Sequence, residues 1–241
     1  MSDEQKDEAG RGVAAVDRAL AIIDAVAGEI EPQSLAQLAA KTGFYKSTIL
    51  RLINSLVQGG YVQRLRSGQF MLGPTAFRLG VAYGRSDQLR PHVLPELEEM
   101  VREGSESASF HVLHGPTTRI CLFRVDSNHS TLDRVRSGDI LPLDRGAAGR
   151  ILVAFEGEPG PSFDAVRAQY FTVSIGEREP GCAGMACPVF GPQDVLRGAI
   201  SLSGAAGRFT PEMLATWQPR LIRAASGITR SLGGSYPELG C

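Results

Sequence analysis

Several features are scarce in this 241-residue chain, and each scarcity removes a class of protein. No apolar run approaches the roughly 18 residues that a membrane-spanning helix needs. The first ten residues are polar and acidic, unlike the start of a secretory signal peptide, so we expect a soluble protein of the cytoplasm with no membrane partner. The net charge of −1 excludes a polycation that coats nucleic acid along its whole length.

Cysteine and histidine are also rare. Four cysteines without a C-x-x-C pair are too few for a disulfide framework. Cys182 and Cys187 lie beside an apolar run with no histidine nearby to complete a tetrahedral set, so we interpret them as small core side chains. His111 and His114, three apart on a predicted strand, point to opposite faces and are expected to be satisfied structural histidines. We therefore predict no metal and no other cofactor.

Motifs of common catalytic sites are missing as well. The chain has no G-x-S-x-G elbow, no Walker loop, no G-x-G-x-x-G and no H-E-x-x-H. The GAAG sequence at 146–149 predicts only a turn that opens a helix, although free N–H groups at such a helix start can bind an anion. We expect a protein that is not an enzyme.

Charge of one sign is absent from a long part of the chain. Residues 32–86 contain no Asp or Glu, whereas residues 1–31 carry a net charge of −5. The cations of this acid-free segment are Lys41, Lys46, Arg51, Arg64, Arg66, Arg78 and Arg85. A surface that faces phosphates needs this composition, because each carboxylate would repel the DNA backbone. Charge alone leaves a solvated basic face as an equal alternative.

Three amphipathic patterns in residues 13–58 predict the helices of a helix-turn-helix. Ser34 is expected to cap the second helix, and Gly43 supplies the tight turn before the third, at about 45–58. The residues expected to face the core are Val16, Ala19, Leu20, Ile23, Val26 and Ala27 in the first helix, Leu35, Leu38 and Ala39 in the second, and Ile49, Leu52, Ile53, Leu56 and Val57 in the third.

The residues that follow predict a wing. Two strand-like stretches, 61–65 and 69–72, flank the hairpin turn Arg66-Ser67-Gly68. Helices and wing in this order, over an acid-free segment, favour binding to double-stranded DNA. The side chains expected to meet bases or phosphates are Ser34, Tyr45, Lys46, Ser47, Thr48 and Arg51, with Arg64 and Arg66 of the wing.

Beyond the wing, the patterns predict helices at 75–83 and 89–103 and then an α+β domain. The second helix is expected to turn Val93, Leu94, Leu97, Met100 and Val101 inward. Strands are expected at 108–114, 119–125, 132–135, 185–190 and 196–203, with helices near 147–155 and 211–231.

Several stretches closely resemble the IclR family of bacterial transcription regulators. They are VDRALAII at 16–23, SLAQLA at 34–39, KSTILRL at 46–52, GYV at 60–62, LGP at 72–74, GCAGMACPVF at 181–190, GAISLSG at 198–204 and RFT at 208–210. The resemblance implies a winged helix-turn-helix, a helical linker and a GAF-like effector-binding domain with six antiparallel strands. It also implies a homodimer or dimer of dimers, a palindromic operator and a small-molecule effector.

By position, the resemblance divides the chain into a tail (1–12), the DNA-binding domain (13–74), a linker and dimerisation segment (75–104), the effector-binding domain (105–233) and a second tail (234–241). The alternative for helix 89–103 is a plain surface helix. The effector contacts that the resemblance implies are Arg119, Leu122, Arg136, Leu141, Ala147, Ala148, Ser174, Glu177, Cys182, Ala183 and Gly184.

The chain departs from the family pattern in this domain. Ser174 and Gly184 stand where better-known members offer an acidic side chain and a thiol, and the segment between Phe155 and Gly176 is shorter than usual. No known ligand is therefore transferred. Arg119 and Arg136 could anchor a carboxylic acid, although exposed strand arginines are the commoner case.

The sequence thus predicts a DNA-binding transcription regulator that responds to a small organic metabolite and controls catabolic genes, by repression or activation. The alternative is a metabolic enzyme or ligand-binding protein whose winged domain mediates protein contacts. The salt dependence of binding to promoter DNA separates the two hypotheses. Counterion release makes the affinity of a DNA-binding regulator fall steeply as the salt concentration rises, whereas a weak or flat response would favour the alternative.

Overall fold

The computed structural model describes residues 12–86, 88–130 and 133–238. The chain divides into two compact units, Met1–Asp87 and Gln88–Cys241. In the described parts, no helix is long and apolar enough to cross a membrane. Most of the predicted tail at 1–12, residue 132 of a predicted strand, and residues 239–241 of the second tail lie outside the described residues.

The first unit has the predicted order of helices and hairpin. Its elements are α1 (Ala14–Ala27), α2 (Leu35–Thr42), α3 (Lys46–Gln58), β1 (Val62–Arg64), β2 (Phe70–Leu72) and α4 (Pro74–Ser86). Ser34 caps α2, because its Oγ accepts the Gln37 N–H at 3.3 Å while the Gln37 side chain accepts the Ser34 N–H at 2.8 Å. Gly43 ends α2 at a φ of 70°, a left-handed conformation that lets the chain turn into α3.

The core of the first unit confirms most of the predicted faces, but the predicted face of α1 is wrong in part. The core residues are Ile22, Val26, Leu38, Ile49, Ile53, Leu56, Val62 and Phe70. Ile22 is fully buried although it was not predicted, whereas Val16 and Leu20 are each 53% exposed. Ala27 and, in α3, Val57 are exposed as well. Helix α1 is apolar on more than one side, so the position of its neighbours α2 and α3 decides which side is buried.

The second unit is an α+β domain, as predicted. Its helices are α5 (Arg90–Arg102), α6 (Ala147–Phe155), α7 (Pro161–Gln169) and α8 (Pro211–Ser231). Its strands are β3 (Ser107–His114), β4 (Thr118–Val125), β5 (Ile140–Pro142), β6 (Thr172–Ile175), β7 (Cys182–Phe190) and β8 (Leu196–Ala205). All neighbouring strands are antiparallel, in the order β5-β4-β3-β8-β7-β6.

Alternate residues of the central strands supply two different cores. Met185 of β7 and Ile200 of β8 pack with α5 and α8, while Ala186 and Ala199, one residue away, pack with α6 and α7. Successive side chains of a strand point to opposite faces, so helices cover both faces of this sheet. The α6 side of the sheet carries the small residues.

The predicted strand at 132–135 is wrong over its described part, because residues 133–135 pair with no strand. Two strands that were not predicted, β5 and β6, form the edges of the sheet instead. Helix α7 was not predicted either. These edge strands have only three and four residues, which is too few to show a reliable alternation of apolar and polar side chains.

Gly149, in the first turn of α6, allows a close approach between that helix and the chain before it. A Cβ on Gly149 would lie 2.3 Å from the Leu143 carbonyl oxygen and 2.8 Å from Arg119 Nη1. We expect Gly149→Ala to lower the free energy of unfolding by about 1–3 kcal/mol, because the backbone must move apart. Urea denaturation of the full chain measures the effect.

Gly227 in α8 provides the matched control. A Cβ there would meet no atom within 4 Å, so Gly227→Ala should leave stability unchanged or raise it by up to about 1 kcal/mol. Equal denaturation midpoints for the two variants would show that the contact at α6 is not tight.

Candidate DNA interface and ligand cavity

Helix α3 presents its predicted polar face to solvent. Tyr45, the residue before the helix, is 85% exposed, and Lys46, Ser47 and Arg51 are exposed as well, while Thr48 is half-buried. The opposite side of the helix is held in the core of the first unit. The N-terminal half of α3 is therefore available for a major groove, where the second helix of this motif contacts bases.

The cations around α3 lack carboxylate partners, with one exception. Lys41 Nζ lies 2.7 Å from Glu29 Oε1. Over the described residues, no other ion pair involves a cation of the acid-free segment. Arg64 of the wing is exposed, and its guanidinium carbon Cζ lies 5.9 Å from the centre of the Phe70 ring, within the range of a cation–π contact. Ser34, by contrast, has its hydroxyl engaged in capping α2.

The second unit contains a cavity of about 50 Å³ between the sheet and the start of α6. That volume admits a few water molecules. Eight of the predicted effector residues line it: Arg119, Leu141, Ala147, Ala148, Ser174, Cys182, Ala183 and Gly184. Residues that the sequence analysis missed also line it: His111, Asp133, Val135, Gly146, Arg178, Ser201, Leu202 and Ser203.

Three predicted effector residues do not line the cavity. Leu122 packs against the apolar core under α5 and α8 instead. Arg136 is exposed. Glu177 supports the wall from outside, because it accepts the Gly146 N–H at 3.2 Å and pairs with Arg150. Several of the missed residues lie in stretches already interpreted, such as His111 on a predicted strand and Gly146 in the GAAG turn, but no local pattern pointed to a shared cavity, which forms only when the sheet brings these segments together.

Two buried polar atoms of the cavity wall have no hydrogen-bond partner among the described residues: Arg119 Nε and His111 Nδ1. Arg119 is only 3% exposed, and its Nη1 donates to the Pro142 and Arg145 carbonyl oxygens. The expectation that His111 is a satisfied structural histidine is therefore wrong. Unpartnered buried polar groups cost free energy, and a ligand that pairs with them removes that cost.

The cavity wall is cationic. Burial and then the nearby charge of Arg178 lower the pKa of Arg119 to about 10. Burial, followed by the charges of Arg119, Arg124 and Arg178, lowers the pKa of His111 well below its ordinary value. One buried carboxylate, Asp133, lies among these cations and pairs with Arg124 and Arg178. His111 is thus held in its neutral form, and the arginine charges around it would attract an anion into the cavity.

Fold and sites together define a class: a winged helix-turn-helix DNA-binding regulator joined to an α+β domain with a cationic cavity. Comparisons with known families place the chain within that class. The IclR helix-turn-helix domain model matches residues 15–66, and the model of the bacterial transcriptional regulator IclR C-terminal matches residues 161–230. The chain belongs to the IclR family of transcription regulators.

Individual relatives span nearly the whole chain. The glycerol operon regulatory protein of Streptomyces coelicolor is 27% identical in an alignment of 254 positions, gaps included, that covers 92% of this chain and 98% of that protein. The IclR transcriptional regulator structure from Alicyclobacillus acidocaldarius has a TM-score of 0.76 at 20% identity, covering 91% of this chain and 99% of that one. An IclR homolog from Microbacterium hydrocarbonoxydans, solved with 4-hydroxybenzoate, has a TM-score of 0.71 at 20% identity, with the same coverage.

Family membership confirms the predicted fold class and the prediction of a DNA-binding transcription regulator. Because the family consists of regulators, the alternative of a metabolic enzyme is wrong.

Lys46 and Arg51 test the assignment of α3 as the DNA-reading helix. We expect Lys46→Ala and Arg51→Ala each to weaken binding to the protein's operator by about 1–3 kcal/mol, because each removes a base or phosphate contact. Fluorescence anisotropy with labelled operator DNA at fixed salt measures the loss. Lys41→Ala removes the same charge from a residue already paired with Glu29 and should weaken binding less. Unchanged affinity in both test variants would exclude α3 as the reader.

His111 makes stability depend on pH. Because its folded pKa is depressed, the unfolded chain takes up a proton at His111 below about pH 6.5 while the folded chain does not. Stability should therefore fall as the pH falls from 6.5 to 5, by up to about 1.4 kcal/mol per pH unit from this residue. His111→Gln should flatten that fall in urea denaturation series. His114→Gln, which changes an exposed histidine, should keep the wild-type slope; if His111→Gln kept it too, the cavity would not hold His111 neutral.

Proposed function

We propose that this protein is a homodimeric regulator, alone or as a dimer of dimers, whose affinity for a palindromic operator changes when the cavity of the second unit binds a small carboxylic acid. The observation that carries the proposal is the pair of unpartnered buried atoms, Arg119 Nε and His111 Nδ1, in a cavity with a cationic wall. An oxygen of the acid would accept from Arg119 Nε, and a hydroxyl or oxo group beside it would pair with His111 Nδ1.

The start of α6 adds a second contribution to anion binding. Ala147 and Ala148 line the cavity as the first two residues of that helix, where backbone N–H groups point away from the helix. Arg119 ties the chain before α6 to β4 through the Pro142 and Arg145 carbonyl oxygens. A ligand on Arg119 would therefore act on the position of β5 and α6 together.

DNA reading is proposed for the exposed residues at the start of α3 and for the wing. Tyr45, Lys46, Ser47, Thr48 and Arg51 would meet bases and phosphates in the major groove, and Arg64 and Arg66 the backbone. Ser34 would position the helix pair through its cap. Such binding places the action of the protein at the chromosome, in the cytoplasm.

Dimerisation is supported by apolar side chains that the first unit leaves exposed. On α1 and the residue before it, Val13, Val16 and Leu20 are each more than half exposed, and Phe77 of α4 is 77% exposed. A second copy of the chain would remove this apolar surface from water. Symmetric pairing suits a palindromic operator, because each copy then contacts one half-site.

Control of catabolic genes is supported by relatives. The Streptomyces coelicolor relative is a glycerol operon regulatory protein, and the Microbacterium structure contains 4-hydroxybenzoate. Both are facts about those proteins; for this chain they indicate that a small catabolic substrate or product is a reasonable effector class.

A thermal-shift screen tests the proposal on the full chain. Small aliphatic and aromatic carboxylic acids are compared with their amides, and each stabilising acid is then added to an operator-binding assay. At a hundredfold excess over Kd a ligand stabilises the folded state by about 2.7 kcal/mol, so a binder is readily detected. We expect at least one acid to stabilise the protein and to change its operator affinity.

Arg119→Ala should lose both responses to that acid while binding operator DNA in its absence. Arg136→Ala is the matched control, because it removes an exposed arginine outside the cavity and should keep both responses. Acids that stabilise the protein without changing operator affinity would contradict the regulatory role.

A further inference from the structure

Asp133 is a carboxylate inside the cavity that the sequence analysis did not single out. Its side chain is fully buried. Oδ2 accepts from Ser203 Oγ at 2.9 Å and from Arg178 Nη2 at 3.1 Å, and Oδ1 accepts from Arg124 Nη2. Both oxygens are thus held by guanidinium groups, as those of a bound carboxylate ligand would be.

Two partners of Asp133 lie on strands of the sheet and the third lies in a turn between two strands, whereas Asp133 lies in neither. Arg124 lies on β4, Ser203 on β8, and Arg178 in the turn between β6 and β7. Asp133 comes from the irregular chain between β4 and β5, and residues 133–135 form no strand pairing. The cations therefore lie on the strands and on a turn of the sheet, whereas the carboxylate belongs to residues 133–135, which form no strand pairing.

Cations outnumber buried carboxylates at this point. Arg124, Arg178 and Arg119 lie at or next to the cavity, and their side chains are largely buried. The other carboxylate on Arg124 is Asp126, at 2.7 Å from Nε, and that carboxylate is 58% exposed. Withdrawal of Asp133 would leave Arg124 with only Asp126 and Arg178 with only Glu179, a carboxylate 47% exposed, so both guanidinium groups would lose their buried counter-charge unless another anion took its place.

The remaining space of about 50 Å³ holds water but is well below the roughly 150 Å³ of a cavity that takes up a benzene-sized molecule. We propose that Asp133 occupies the carboxylate position of the ligand site, so that effector binding exchanges Asp133 for the carboxylate of the effector. The exchange enlarges the cavity and keeps Arg124, Arg178 and Ser203 paired throughout. It also restricts the site to anions, because a neutral molecule could not replace the buried charge.

This inference rests on the proposed function, in that it takes the cavity to be the effector site. It adds Arg124 and Arg178 as the carboxylate-binding residues and Asp133 as their resident occupant. A tethered carboxylate competes at a high effective concentration, so its removal should expose the site to free carboxylates at much lower concentrations.

Asp133→Ala tests the exchange, with acetate as the probe. We expect the variant to melt at a lower temperature than the wild type and acetate to raise its melting temperature, with half-saturation at a concentration at least tenfold lower than for the wild type. Acetamide, the neutral analogue, and sodium chloride at equal ionic strength should not reproduce the effect. The measurement needs no DNA and uses the full chain.

Asp126→Ala is the matched control, because it removes an exposed carboxylate from the same arginine. Its response to acetate should equal that of the wild type. If Asp133→Ala does not fold even with acetate, Asp133→Asn decides, because it keeps the shape and one acceptor but removes the charge; it too should respond to acetate more strongly than the wild type.

Equal acetate responses in the wild type and in the folded Asp133 variant would overturn the exchange, and so would equal stabilisation by acetamide. The proposal that a carboxylic acid regulates the protein would not be affected by that result, because the change in operator affinity with carboxylic acids tests it separately. An Asp133 variant that gains acetate binding, in a protein whose operator affinity responds to no acid, would instead support the carboxylate site and contradict the regulatory role.

Discussion

Buried arginine side chains impose the main constraint on the second unit. A guanidinium group keeps its charge at any physiological pH, so it can leave water only where oxygens surround it. Arg119 meets this requirement with the Pro142 and Arg145 carbonyl oxygens, and thereby holds β5 and the start of α6 against β4. Arg124 meets it with Asp133, Asp126 and Ser109, and thereby draws the chain between β4 and β5 onto the sheet.

The same arginines leave the cavity incompletely satisfied. Arg119 Nε and His111 Nδ1 have no partner among the residues that the structure describes, and Asp133, the buried carboxylate of the cavity wall, belongs to residues 133–135, which form no strand pairing. A protein selected for stability alone would fill such a space with apolar side chains, because a buried ion pair is often no more stabilising than packed apolar residues. Polar groups without a protein partner in a cavity are what the ligand site proposed above requires.

The two units use cations in opposite ways. In the first unit Lys46 and Arg51 are exposed and have no carboxylate partner within the described chain, so their charges are available to phosphates. In the second unit Arg124 and Arg178, beside the cavity, are largely buried and paired, so their charges act over short distances. The first arrangement suits long-range attraction to a polyanion, and the second suits the selective site for a small anion that is proposed above.

Local patterns in the sequence were sufficient to predict the DNA-binding unit and the central strands of the sheet. The polar face of α3 follows from helical periodicity and from the absence of acids, and both are properties of neighbouring residues. The face of α1 could not be predicted in the same way, because Val16 and Ile22 are equally apolar and only the packing of α2 and α3 buries Ile22. The meeting of Arg124, Asp133 and Arg178 was decided by tertiary structure alone. These residues are far apart in the chain or lie in irregular segments, and only the antiparallel order of the sheet brings their charges within hydrogen-bond distance.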